Sequence, residues 1–188
     1  MTRSGIGPSD AALVLAARAG ENWAREALFR RHASMLNGLA YRIMGRDDDV
    51  DDLVQDSFVE ALGSLDRLRD PQAFAGWIGS ILVRTARKTL RRRKLMRRLG
   101  LYHGPVIDPD ALLGTSTAPD VAADLRAVYA LVEALPVEQR VALLLRRVEG
   151  LGLEEIAQAM GRSLATVKRR LGDAEAALAH ATAKGERR

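Results

Sequence analysis

Residues 151–171 read Leu-Gly-Leu-Glu-Glu-Ile-Ala-Gln-Ala-Met-Gly-Arg-Ser-Leu-Ala-Thr-Val-Lys-Arg-Arg-Leu. The stretch predicts two short helices, about Leu153–Met160 and Ser163–Ala183. Ala157 is small where two helices must cross closely. Gly161, four residues on, suits the left-handed turn between them. Val167, ten residues after Ala157, packs the second helix back on the first. This is the spacing of a helix-turn-helix. The run Thr166, Lys168, Arg169 and Arg170 on the second helix, with Ser163 at its start, points to DNA. That helix would enter the major groove, its N-terminal residues nearest the base edges.

Outward from there the pattern stays helical. Few windows alternate with period two and β-branched runs are absent, so the expected fold class is all-α. One segment breaks the pattern. Residues 100–119 hold three of the six prolines and three glycines, and a helix cannot run through them. A linker is placed at about 99–120, between small helical domains at 9–98 and 121–183. In the first, Ser9 or Asp10 caps a helix to Ala19, and a second spans Asn22–Met44 with Leu28, Met35, Leu36, Leu39 and Ile43 near one face. A third runs from about Asp47 to Gly63, with Val50, Leu53, Val54, Phe58, Ala61 and Leu62 inward. Asp70-Pro71 opens a fourth, running to about Leu99. In the second domain, a helix at about 121–134 precedes Leu135-Pro136. Pro136 opens the next helix, which runs to Val148, and Gly150 and Gly152 end it.

Composition removes several classes of function. The chain has 188 residues and no Cys, so it has no disulfide, thiol nucleophile or iron–sulfur site. His32, His103 and His180 lie too far apart in sequence for a local metal motif. No apolar run approaches the length of a membrane span, and the N-terminus lacks the pattern of a signal peptide. A cytoplasmic protein is expected. No nucleophile–base pair or phosphate-binding glycine loop appears, so neither catalytic residues nor a cofactor are expected.

The net charge of +5 conceals a segregation. Residues 47–60 contain seven acids and no base. Asp52, Gln55, Asp56 and Glu60 fall at spacings of three and four, forming a stripe able to dock a basic protein surface. Residues 84–98 contain nine bases and no acid. Arg84, Arg87, Lys88 and Arg91 follow helical spacing, while Phe74, Trp77, Ile78, Ile81 and Thr85 line another face of the same helix. An all-positive stripe repels itself, and a polyanion relieves that repulsion, so nucleic acid is the expected partner. A membrane surface is the rival, but the apolar face of that helix is committed to the core.

These pieces, in this order, resemble an extracytoplasmic-function sigma factor of the sigma-70 family over about residues 9–183. Asp-Asp-Asp-Val-Asp-Asp-Leu-Val-Gln-Asp-Ser-Phe at 47–58 is similar to the family's region 2.2. Phe74-x-x-Trp77-Ile78-x-x-Ile81 with Arg91-Arg92-Arg93 is similar to regions 2.3–2.4. Leu135-Pro136-x-Glu138-Gln139-Arg140 and Glu149-Gly150-Leu151-x-Leu153-Glu154-Glu155-Ile156-Ala157, with Thr166-Val167-Lys168, resemble region 4.

The resemblance implies a subunit that binds core RNA polymerase and directs promoter recognition, melting of the −10 element and initiation. It implies that Asp52, Gln55 and Asp56, with Leu53 in part, meet the clamp helices of the β′ subunit, and that the β subunit is also a partner. It implies that Arg84, Arg87, Lys88 and Arg91 hold phosphates, with the loop at about 64–73 at the −10 element. The helix-turn-helix would read the −35 element. Many members are held by an anti-sigma factor, and a monomer outside polymerase is expected. The alternative is a stand-alone helix-turn-helix regulator using only 121–183, which leaves the acidic stripe unexplained. Three departures stand out. Leu62 replaces a usual Trp, and Arg84 and Lys88 replace a common Asn and Asp. Asp173 and Glu175 fall where Arg is common. An unusual or less stringent −35 preference is therefore expected.

Overall fold

Ser9 starts the first helix by accepting the backbone N–H of Ala12 on its hydroxyl at 3.3 Å. The structure, a computed structural model, describes residues 7–44, 50–101, 127–128 and 130–185. Helix α1 is Asp10–Arg18, α2 Asn22–Met44, α3 Val50–Gly63 and α4 Phe74–Arg98. Helical residues at 127–128 and 130–134 lead to α5 (Val137–Arg147), α6 (Leu153–Met160) and α7 (Leu164–Gly185). No strand occurs among the described residues. The linker expected at 99–120 lies largely outside them, as do half of the helix expected at 121–134 and the expected start of α3 at Asp47–Asp49.

Between α3 and α4 the chain makes two 3-10 turns, Leu65–Arg67 and Pro71–Ala73. Asp70 caps the second, its carboxylate accepting Gln72 N–H at 2.9 Å, with Pro71 at the first position. Leu65 and Leu68 are buried, and Arg18 of α1 donates to the carbonyl oxygens of both. The turn is thus pinned at its ends and exposes Asp66, Arg67, Arg69 and Asp70.

The core of the first half gathers Leu13, Val14 and Ala17 of α1, Leu28, Leu36 and Ile43 of α2, Val54 and Phe58 of α3, and Phe74, Ile78, Ile81 and Leu82 of α4. Met35 departs from the expected face. It sits one residue, about a 100° turn, from buried Leu36 and is 41% exposed. Val50 and Leu62 are half-buried rather than inward.

Helix α4 departs more. Beyond the expected apolar face it also buries Ser80, Val83, Ala86 and Arg87. The cause is a second neighbour. Helices α5 and α6 pack on α4, and Val141, Leu145, Ile156 and Met160 join the same continuous core as Ile78 and Leu82. Gly76, Gly79, Ser80 and Val83 line a small cavity of about 170 Å³ with Leu145, Leu151 and Ala159 at this junction. Spacings of three and four place Gly76, Gly79, Ser80, Val83 and Arg87 on one face, so α4 lies between the two halves of the chain. Burying each large apolar side chain there contributes about 1.5–3 kcal/mol. A smaller cluster of Leu135, Leu143 and Ala174 holds α7 against α5.

Candidate nucleic-acid interface

The acidic stripe on α3 stands open. Asp52, Gln55, Asp56 and Glu60 are exposed, while Leu53, Val54, Ser57 and Phe58 are buried behind them. Leu53 is therefore not a surface contact here; at 4% exposed it anchors the helix. The apolar group on the open face is Val59, 66% exposed, three residues from Asp56 and four from Gln55. Phe29 of α2 packs at a tilt against Phe58, ring centroids 4.8 Å apart, and lines a hollow of about 380 Å³ with Val54 and Gln55. Sequence reading missed Val59 and Phe29. Their exposure depends on how α2 crosses α3, which spacing within either helix does not reveal.

The basic stripe of α4 is less open than its sequence implies. Arg84 lies 3.3 Å from Glu60 of the acidic stripe. Lys88 is exposed. Arg87 is 3% exposed and points into the junction with α5 and α6. Its Nε and Nη2 donate to Glu138 Oε1 at 3.2 and 2.8 Å, and its Nη1 donates to the carbonyl oxygen of Met160. Arg91 lies 3.5 Å from Glu138 Oε1, and Arg162 lies 3.6 Å from its Oε2. One carboxylate thus gathers three guanidiniums, two of them expected to hold phosphates. Burial pushes the Glu138 carboxyl up. The Arg87 hydrogen bond and the charges of Arg87, Arg162 and Arg91 outweigh it and hold the carboxyl below the ordinary glutamate range.

Two further links cross the same junction. Arg42 of α2 pairs with Glu149 through a second hydrogen bond of 3.0 Å. Arg140 donates to the Ile43 carbonyl at 2.7 Å, near the C-terminus of α2, and burial lowers its pKa. None of these pairings was expected from the sequence, since their partners lie far apart along the chain.

The helix-turn-helix has the geometry its spacing implies. Gly161 takes φ 58° and ψ 46°, the left-handed conformation. Arg162 N–H donates to the Ala157 carbonyl at 2.9 Å, closing the end of α6. Val167 is 1% exposed and joins Ile156 and Met160 in the core. Ser163 uses its hydroxyl to accept Thr166 N–H at 3.3 Å, and the two hydroxyls lie 2.9 Å apart. They therefore shape the start of α7. Ala165, Lys168, Arg169, Gly172 and Asp173 are exposed at spacings that share one face, while Arg170 is half-buried. The two acids on α7 have separate surroundings. Glu175 pairs with Arg147 of α5 at 2.6 Å, but Asp173 stays on the face of Lys168 and Arg169.

No helix among the described residues is long and apolar enough to cross a membrane. Residues 28–95 match the sequence model of Sigma-70 region 2, and residues 125–178 match that of Sigma-70, region 4. The chain is 33% identical over 172 residues to the ECF RNA polymerase sigma factor SigM of Mycobacterium tuberculosis, covering 91% of this chain and 83% of that protein. It is 33% identical over 133 residues to RNA polymerase sigma factor SigV of Bacillus subtilis, covering 71% and 75%. Among solved structures it resembles CnrH in complex with the cytosolic domain of CnrY. The TM-score is 0.61 at 27% identity, over 92% of this chain and 96% of that one. The sigma factor RpoE of Bartonella quintana, in complex with the anti-sigma factor NepR, shares the fold with a TM-score of 0.60 at 21% identity, over 84% and 95%.

Proposed function

We infer the division of labour among these surfaces from one premise: the chain belongs to the extracytoplasmic-function group of the sigma-70 family. It is an RNA polymerase sigma factor. The open face of α3 docks core polymerase on the β′ clamp helices, through Asp52, Gln55 and Asp56, with exposed Val59 as an apolar contact. Charge complementarity sets orientation and on-rate, while the apolar residue adds desolvated contact. Leu53 acts from beneath, holding the helix in place.

The basic side of α4 and the pinned turn at 64–73 engage the −10 element. Arg84, Lys88 and Arg91, exposed on α4, neutralise phosphates, Arg87 being enclosed at the junction with α5 and α6, and melted bases are held as single strand. Helix α7 enters the major groove of the −35 element. Lys168 and Arg169 are the side chains best exposed for it, with Ser163 and Thr166 shaping the start of the helix and half-buried Arg170 a further basic contact. The β subunit and an anti-sigma factor are further partners, the latter because two structural neighbours carry partners of that kind or a partner's cytosolic domain.

The observation that carries this reading is the separation of an uncovered acidic face on α3 from cationic surfaces on α4 and α7. Its test is co-purification with core polymerase. Asp52→Arg combined with Gln55→Ala should weaken binding about tenfold or more, with unchanged circular dichroism. Full binding by that variant would remove α3 from the polymerase interface.

A further inference from the structure

Helix α4 runs on past Leu90, its last buried residue, to Arg98. In that extension Leu95 and Leu99 are four residues apart and share a face. Gly100, at φ 68°, closes the helix, its N–H donating to the Arg97 carbonyl at 3.0 Å and that of Leu101 to the Met96 carbonyl at 2.9 Å. Leu95, Leu99 and Leu101 are 56%, 60% and 64% exposed. Helical spacing puts Arg98 and Lys94 to one side of the Leu95–Leu99 face and Arg92 to the other, all three exposed. The commitment of this helix's apolar face to the core, which argued against a membrane surface, therefore holds only as far as Leu90. No acid lies within 84–98. Duplex DNA would answer the bases but would set the leucines against phosphates and polar groove edges. An anionic bilayer answers both, with headgroup phosphates for the cations and the acyl boundary for the leucines, while the arginine stems reach back to the surface.

We propose that the C-terminal end of α4 with Leu101 is a peripheral docking site for an anionic lipid surface, where Leu95, Leu99 and Leu101 enter the acyl boundary and Arg92, Lys94 and Arg98 hold headgroup phosphates. The attachment lies in the interface and crosses nothing. Few apolar side chains and a handful of charges make it weak and reversible. The site uses none of the residues of the acidic face on α3, so loss of one reading leaves the other standing.

Sedimentation of the full chain with lipid vesicles tests this, comparing mixtures of phosphatidylglycerol and phosphatidylcholine with phosphatidylcholine alone. The chain should sediment with the anionic vesicles only, and less as salt is raised. Leu95→Gln combined with Leu99→Gln keeps every charge and touches no buried residue. It should weaken vesicle binding about tenfold, with unchanged circular dichroism. Arg92→Gln combined with Arg98→Gln should weaken it to a similar degree. Leu15→Gln removes an equally open leucine on α1 and should leave binding near wild type. Full vesicle binding by the Leu95→Gln, Leu99→Gln variant makes the attraction one of bulk charge and overturns the proposal. So does an equal loss in Leu15→Gln, or equal binding to neutral vesicles. Anisotropy with a labelled DNA duplex reads the rival partner. The double leucine variant should hold DNA as the wild type does. A loss of DNA affinity with vesicle binding unchanged assigns the leucines to nucleic acid and overturns the lipid site.

Discussion

Arg87 belongs to a run of bases with no acid, yet its guanidinium is the most enclosed charge on α4. Removing one partner of a buried pair costs about 3–5 kcal/mol, because the other charge is left without compensation. The same pair makes the packing of α5 and α6 on α4 sensitive to acid. The Glu138 carboxyl is held below its ordinary range, so its contribution is complete above that range and is lost as pH falls through the lowered value. The melting temperature should therefore fall in that acid window in wild type and fall less across it in Glu138→Gln. An identical acid profile in both would assign the transition to other groups. This pair was not legible in the sequence. Arg87 and Glu138 are 51 residues apart, and helical spacing places Arg87 on a face without saying what covers that face. Asp52, Gln55 and Asp56 were legible, because their exposure follows from the burial of Leu53, Val54 and Phe58 within one helix.

At the scale of elements, capping and turn chemistry carried far. Ser9, Leu135-Pro136 and Gly161 set boundaries that the helices keep within a residue or two, while Asp70-Pro71 opens a 3-10 turn and α4 itself begins three residues after Pro71, at Phe74. Each signal acts through its own backbone, so it needs no knowledge of tertiary neighbours. A Cβ at Gly161 would meet open space, so the cost of Gly161→Ala comes from its left-handed φ and not from a clash. That substitution should cost about 1–2 kcal/mol, read as a lower melting temperature. The width of the buried band on α4 was not legible, because half of it is created by α5 and α6 arriving from beyond residue 136. Removing Arg84, Lys88 and Arg91 together should flatten the salt dependence of promoter binding by roughly one log–log unit per phosphate released. An unchanged slope would take the helix off the DNA. On α7, Asp173 shares the face of Lys168 and Arg169, where it repels phosphate but can accept from cytosine N4. A selection for bound promoters should thus return a relaxed or atypical −35 element, and recovery of the family's ordinary GGAAC-like element would contradict that.

For the whole molecule, the segregation of charge sets how one short chain can serve two partners. Seven acids cluster in 47–60 and nine bases in 84–98, on neighbouring helices whose outer faces point to different surroundings. Arg84 and Glu60 bridge the two stripes at 3.3 Å, so the boundary between the acidic and the basic surface is narrow. The continuous core through α4 adds a constraint on order, since the acidic face is available while Arg87 is not. The central claim is that these surfaces together bridge polymerase and promoter. It is tested most directly by run-off transcription with core polymerase on DNA fragments selected by the reconstituted holoenzyme. A discrete transcript should require this chain and vanish when Asp52→Arg and Gln55→Ala are combined. Tight binding to core polymerase with no new transcript from any fragment would contradict it.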